Sequence, residues 1–194
     1  MIARRLLVGP KAPRWLAALA NNKGIAAVEF ALLMPVFGLI LAGIADVGGV
    51  LLTRFRLDAA VSAGANYAMV NAASVSSTSG ATLASSISTV VANNAGSTWG
   101  DDAIVVNNGP SQTITGGAST SGGSAANADS CYCPTISPSF AWGAAVTCAS
   151  ACSGGGIAGK FVTITATRTY TPMFSGYGLV TNNTISVTTS VQTQ

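Results

Sequence analysis

A chain of 194 residues with no histidine and only 8% charged side chains lacks the usual general acid–base and the commonest metal ligand. That charged fraction is far below the roughly 25% of ordinary globular domains, and Gly, Ser, Thr, Ala and Asn take its place. The length admits one membrane segment and one modest soluble domain, and the composition suits a surface-exposed module better than a cytosolic enzyme.

Residues 1–24 read as a basic leader. Arg4, Arg5, Lys11, Arg14 and Lys23 contain no acid among them, whereas the rest of the chain has four basic residues (nine in all, less these five) and all six acids. Pro10 and Pro13 interrupt the leader, Trp15–Ala20 is a short apolar segment, and Asn21-Asn22 breaks the pattern before Lys23-Gly24. A basic flank beside a single membrane segment stays in the cytoplasm, so the N-terminus is expected inside and everything after Leu52 outside. A nucleic-acid-binding arm is the other use of such a cluster; the adjoining apolar run argues against it, and no nucleic-acid partner is expected.

From Ile25 to Leu52 the only ionisable side chains are Glu29 and Asp46. About 20 apolar residues cross a bilayer as a helix, and a longer run spans it with tilt. Residues 25–52 are therefore expected to be the transmembrane helix, bent at Pro35, with Gly38, Ala42 and Ala45 as a small-residue stripe. A secretory signal peptide would have a shorter apolar core, and the nearest small-residue cut site, Ala63-Gly64-Ala65, lies further on. Arg54, Arg56 and Asp58 mark the exit into water. Leu57, Ala60, Val61, Gly64 and Ala68 then recur at helical spacing, which carries the helix to about Ala72 with one face for a soluble domain.

Thr82 to Asn93 is a second helix on the spacing of Leu83, Ile87, Val90 and Val91. Ala103 to Asn107 reads as a short strand, and the preceding Asp101-Asp102 as a solvated loop or helix cap. Residues 116–128 are expected to be a flexible Gly/Ser loop. Lys160 to Tyr170 alternates, with Val162, Ile164 and Ala166 on one face and Thr163, Thr165 and Thr167 on the other; Ile185, Val187 and Val191 share one face of a final strand. Thr171–Phe174 and Gly176–Gly178 connect the two. The expected fold is α+β: a long N-terminal membrane-spanning helix continuing into a small domain, residues 53–194, with a short helix and an antiparallel sheet of two to four strands.

All four cysteines fall within the loop 131–152. On the outer side of the membrane thiols meet an oxidant. A bond within Cys131-Tyr132-Cys133 would close a strained ring, so two bonds across the loop are expected, nested or crossed. The alternative, a tetrahedral zinc site of four thiolates, has an uncommon spacing here.

Gly24-Ile25-Ala26-Ala27-Val28-Glu29-Phe30 resembles a prepilin-peptidase site, in which a basic leader ends in Gly and Glu stands fifth in the mature chain. A cut after Gly24 would make Ile25 the first residue and Glu29 the fifth. The wider pattern continues through Ala31–Val36, Gly43-Ile44-Ala45-Asp46-Val47-Gly48 and Ala63-Gly64-Ala65-Asn66-Tyr67-Ala68. It is similar to the TadE-like pseudopilins of the tight-adherence (Tad, Flp) pilus system, and extends loosely to Tyr170–Phe174. The resemblance covers about residues 20–70 and leaves the Ser/Gly loop and the cysteines unaccounted for. A residue without Cβ lets a peptidase approach the backbone. A carboxylate in a membrane helix is costly and usually paired; the resemblance implies that Glu29 meets the freed amine of Ile25 on a neighbouring subunit, with Phe30 beside it.

The resemblance implies a minor pseudopilin or assembly component, processed by a prepilin peptidase and held in the bacterial inner membrane as a single pass. Its N-terminus would be cytoplasmic and its C-terminal domain periplasmic, or carried into an extracellular pilus. The implied partners are the prepilin peptidase, other pilins and pseudopilins, the inner-membrane assembly platform and membrane lipid. No catalytic residue, cofactor or metal is expected, since the chain carries no nucleophile-elbow or phosphate-loop pattern. The alternative is a membrane-anchored adhesin or binding module without a pilus role, which the Thr-rich C-terminal strands permit.

Overall fold

The computed structural model describes residues 24–96, 100–136, 140–173 and 180–194. Residues 1–23 of the basic leader lie outside the described residues, as do 174–179 of the last connection. The chain forms two compact units, Met1–Ala45 and Asp46–Gln194.

Helix α1 (Ile25–Val70) is continuous for 46 residues, about 69 Å at the rise of an α-helix. Pro35 lies inside it. In the first unit the helix turns apolar side chains outward on every side: Val28, Phe30, Leu32, Leu33, Phe37 and Leu39 are all more than half exposed. The most apolar 18-residue stretch of α1 has nothing buried, and it is long and apolar enough to cross a membrane as a single anchor. A helix apolar all round and uncovered by its own chain suits lipid or other helices better than water.

The second unit is α+β. Here α1 changes character: Thr53, Leu57, Ala60, Val61, Gly64, Ala65 and Ala68 are buried, as the helical periodicity requires. Helix α2 (Gly80–Ala95) contributes Leu83, Ala84, Ile87 and Val91 to the same core. It ends at Gly96, whose φ is +90°.

The two helix faces meet an antiparallel sheet of five strands: β1 (Asp101–Val106), β2 (Ser111–Thr115), β3 (Ala118–Gly122), β6 (Phe161–Thr169) and β7 (Thr184–Gln192), in the order β3-β2-β1-β6-β7. Ile104, Val106, Val162, Ile164, Ala166 and Ile185 point into the core. The register sets Ile104 beside Ile164 and Ala166 beside Val187. Two shorter strands, β4 (Cys131–Tyr132) and β5 (Ala145–Val146), pair separately.

Three features differ from expectation. The sheet has five strands rather than two to four. Residues 116–128, expected to be a flexible loop, instead hold β3 and a 3-10 turn at Ala125–Asp129. Every residue of β3 is exposed, so no apolar alternation announces it. It forms because Gly116 and Gly117, at φ +57° and +82°, supply the two positive-φ residues of a tight hairpin turn. Gln112 then donates to the Ser119 hydroxyl and accepts from that of Ser121.

The third difference is the acidic pair, which begins β1 rather than a solvated loop. Asp101 accepts the Gly116 N–H at 2.8 Å. Asp102 is buried and accepts the Ser88 hydroxyl of α2 at 2.9 Å on both carboxylate oxygens. Burial pushes its carboxyl above the ordinary carboxylate range, against the opposing hydrogen bonds from Ser88 and the Ile114 backbone.

Two outcomes follow from this packing. A Cβ at Gly64 would sit 2.7 Å from Val91 Cγ2 and 3.3 Å from Ile87 and Ile164. Overpacking of this kind costs about 1–3 kcal/mol, so Gly64→Val is expected to lower the melting temperature of the detergent-solubilised chain; an unchanged value would contradict the packing. For Asp102 the native pKa lies above the unfolded one. Its contribution is therefore full below the unfolded pKa and is lost as pH rises through the native pKa. Asp102→Asn should lose less stability than the wild type across that acidic window, as read from melting temperature against pH.

Candidate functional site

The residues that resemble a processing site sit at the start of α1. Gly24 is exposed and immediately precedes the helix, of which Ile25 is the first residue. Among the described residues, nothing lies within 4 Å of the place a Cβ would occupy at Gly24. Glu29 and Phe30 are exposed one turn further on. Ile25 and Glu29 are four residues apart and share a helix face. A carboxylate near a helix N-terminus also faces the favourable end of the backbone dipole.

A second constellation gathers at the start of the second unit, from residues 127 positions apart in sequence. Asp46 is only 3% exposed. Its carboxylate accepts the Met173 backbone N–H at 2.8 Å, and its carbonyl accepts the Tyr170 hydroxyl at 3.2 Å. Gly49, one turn along, makes room for that ring: a Cβ there would overlap the Tyr170 hydroxyl. Thr53 completes the turn by donating its hydroxyl to the Gly49 carbonyl at 2.8 Å. The segment after β6 is thus fastened to α1 by one carboxylate and one missing side chain.

Both ends of this clamp stand in the motif read from the sequence, Asp46 within Gly43–Gly48 and Met173 within Tyr170–Phe174, but their pairing was not foreseen. The available signal was the carboxylate itself, since a buried charge in an apolar run implies a partner.

The cysteines form two crossed disulfides, Cys131–Cys148 and Cys133–Cys152, with Cα–Cα distances of 5.0 and 5.6 Å. All four sulfurs are thereby committed, which excludes the four-thiolate zinc arrangement. Trp142 meets the edges of Tyr132 and Phe140 within this lobe, at centroid distances of 5.7 and 4.9 Å. The lobe is fastened to the sheet by Asn107, which is fully buried. Its side chain donates to the Ala128 and Ser130 carbonyls at 2.9 and 2.6 Å and accepts the Phe161 N–H at 3.1 Å. Asn107 holds φ at +51°, which Asn tolerates better than most residues. The sequence reading placed it only as the end of a strand.

A polar cavity of about 250 Å³ lies between the end of α1 and α2, lined by Tyr67, Asn71, Ser74, Thr78, Thr82 and Ser86 among others. Its lining is neutral and supplies hydroxyls and amides only. Among the described residues, no cluster of three or more His, Cys, Asp or Glu is placed to hold a metal ion.

The family model described as "TadE-like protein" matches residues 24–66. The matched segment runs from Gly24 through Glu29 and Asp46 to the buried stripe of the outer helix. No curated protein and no solved structure matches the chain.

The clamp gives a direct outcome. Asp46→Ala leaves the Met173 N–H without this acceptor, and losing a part-buried hydrogen bond of this kind costs about 0.5–1.5 kcal/mol. Hydrogen exchange at Met173 should accelerate while the α2 amides keep their protection. Unchanged exchange at Met173 would contradict the clamp.

Proposed function

We propose that this chain, TadE-like over residues 24–66, is a minor pseudopilin of the tight-adherence pilus system. The match over residues 24–66 supports a component associated with that pilus, with other pilus components as its partners. The finer reading is that a prepilin peptidase removes the basic leader after Gly24, and that α1 then anchors the mature protein in the inner membrane with the α+β unit in the periplasm. The role is one of assembly rather than catalysis.

The observation that carries this reading is the position of Gly24. It lies exposed at the very start of the family segment, one residue ahead of a helix that begins at Ile25. A cut there would remove the leader and leave α1 whole. The new amine of Ile25 would carry a positive charge at the membrane face, and Glu29 supplies the matching negative charge one turn along the same helix type in a neighbouring subunit. In a bilayer such a pairing offsets the cost of both charges. The five basic residues before the helix favour a cytoplasmic leader. The two crossed disulfides suit an oxidising compartment on the other side.

Mass spectrometry of the protein extracted from membranes of a host with an active prepilin peptidase should find Ile25 at the N-terminus. Gly24→Leu should retain the leader. A full leader on the wild-type protein in that host would rule out the processing step.

A further inference from the structure

Residues 46–52 belong to the apolar run and to the second compact unit at once. From Ile25 to Ala45 is about 21 residues, or ~31 Å of helix, and that alone fills the roughly 30 Å of a bilayer's hydrocarbon core. Asp46 stands where such a core ends. Beyond it the helix still exposes Val47, Leu51, Leu52 and Phe55, each between 43% and 63%. Beside Asp46 the clamp holds Met173, a residue 74% exposed.

The clamped segment is built for a dry neighbour. Tyr170-Thr171-Pro172-Met173 carries no charge, and Pro172 has no N–H to strip of water. The Met173 N–H is already given to Asp46, and the Tyr170 hydroxyl to the Asp46 carbonyl. A tyrosine with its hydroxyl satisfied suits the membrane–water boundary. Arg54 and Arg56 follow within about three turns, and both are exposed. Long cationic side chains at that height reach the headgroup layer while their stems stay along apolar surface.

We propose that Met173, together with Val47, Leu51, Leu52 and Phe55, forms an apolar collar immersed in the outer interfacial layer of the bilayer. Asp46 then fixes the place of the 170–173 segment beside these helix residues. The occupant of this surface is lipid because the collar continues, along one uninterrupted helix, the apolar surface assigned to the bilayer. The inference rests on the anchor reading of α1, and the experiment separates the two.

The four cysteines are paired and leave no free thiol, so a single introduced cysteine can be labelled without reductant. Full-length Met173→Cys, Leu39→Cys and Thr188→Cys proteins would each carry an environment-sensitive fluorophore in phosphatidylcholine vesicles. Lipids with a shallow or a deep nitroxide would serve as quenchers, and iodide as the aqueous one. The label at 39 should be quenched by the deep nitroxide, and the label at 188, on the exposed part of β7, by iodide alone. The label at 173 should lose at least half its emission to the shallow nitroxide and be shielded from iodide at least twofold relative to 188. If 173 behaves like 188 while 39 is quenched from the lipid, the collar is overturned and the anchor stands. If 39 is also quenched only by iodide, both fall.

Discussion

The character of one helix changes at a single buried carboxylate, Asp46. Before it, α1 is apolar on every side and its side chains are uncovered. After it, burial follows a single stripe, from Thr53 and Leu57 through Ala60, Val61, Gly64 and Ala68, against α2 and the sheet. The same element cannot satisfy both requirements by composition alone, because an all-round apolar helix has no reason to present one face to a domain. Asp46 accepts the Met173 N–H, which fastens the segment after β6 to the helix. Gly49 lets the Tyr170 ring follow.

The second unit manages its few charges in the same economical manner. Neutral amides carry much of the side-chain bonding: Asn107 donates to two backbone carbonyls and accepts one backbone N–H, and Gln112 bonds the Ser119 and Ser121 hydroxyls of β3. Lys160 donates to the Val75 carbonyl at 2.9 Å. In the disulfide lobe the Tyr132–Trp142–Phe140 ring contacts stand beside two cross-links, each of which typically contributes about 2–4 kcal/mol by restricting the unfolded chain.

What could be read from the sequence was periodic or local. The stripe of α1 followed from Leu57, Ala60, Val61, Gly64 and Ala68, and the five are buried as expected. Strands β6 and β7 followed from alternating β-branched residues. The family resemblance, carried by residues such as Gly24, Glu29, Phe30 and Asp46, agrees with the match over residues 24–66. What escaped the reading was pairing at a distance. Strand β3 has no buried face and exists through its turn and its neighbour. Asp102 looked solvated because its partner Ser88 lies on another element. Crossed and nested disulfides have the same local spacing, and only the folded path of the lobe distinguishes them. The Asp46–Met173 bond was invisible for the same reason, although both residues stood inside noticed motifs.

The central claim is that α1 changes environment at Asp46. Spin labels placed one at a time from residue 36 to residue 60, in the full chain in a bilayer, would measure accessibility to oxygen along the helix. The account predicts uniformly high lipid accessibility up to Ala45, then a helical periodicity with minima at Asp46, Thr53, Leu57 and Ala60. A periodic pattern already present before Ala45, or uniform lipid exposure continuing through Leu52, would contradict it.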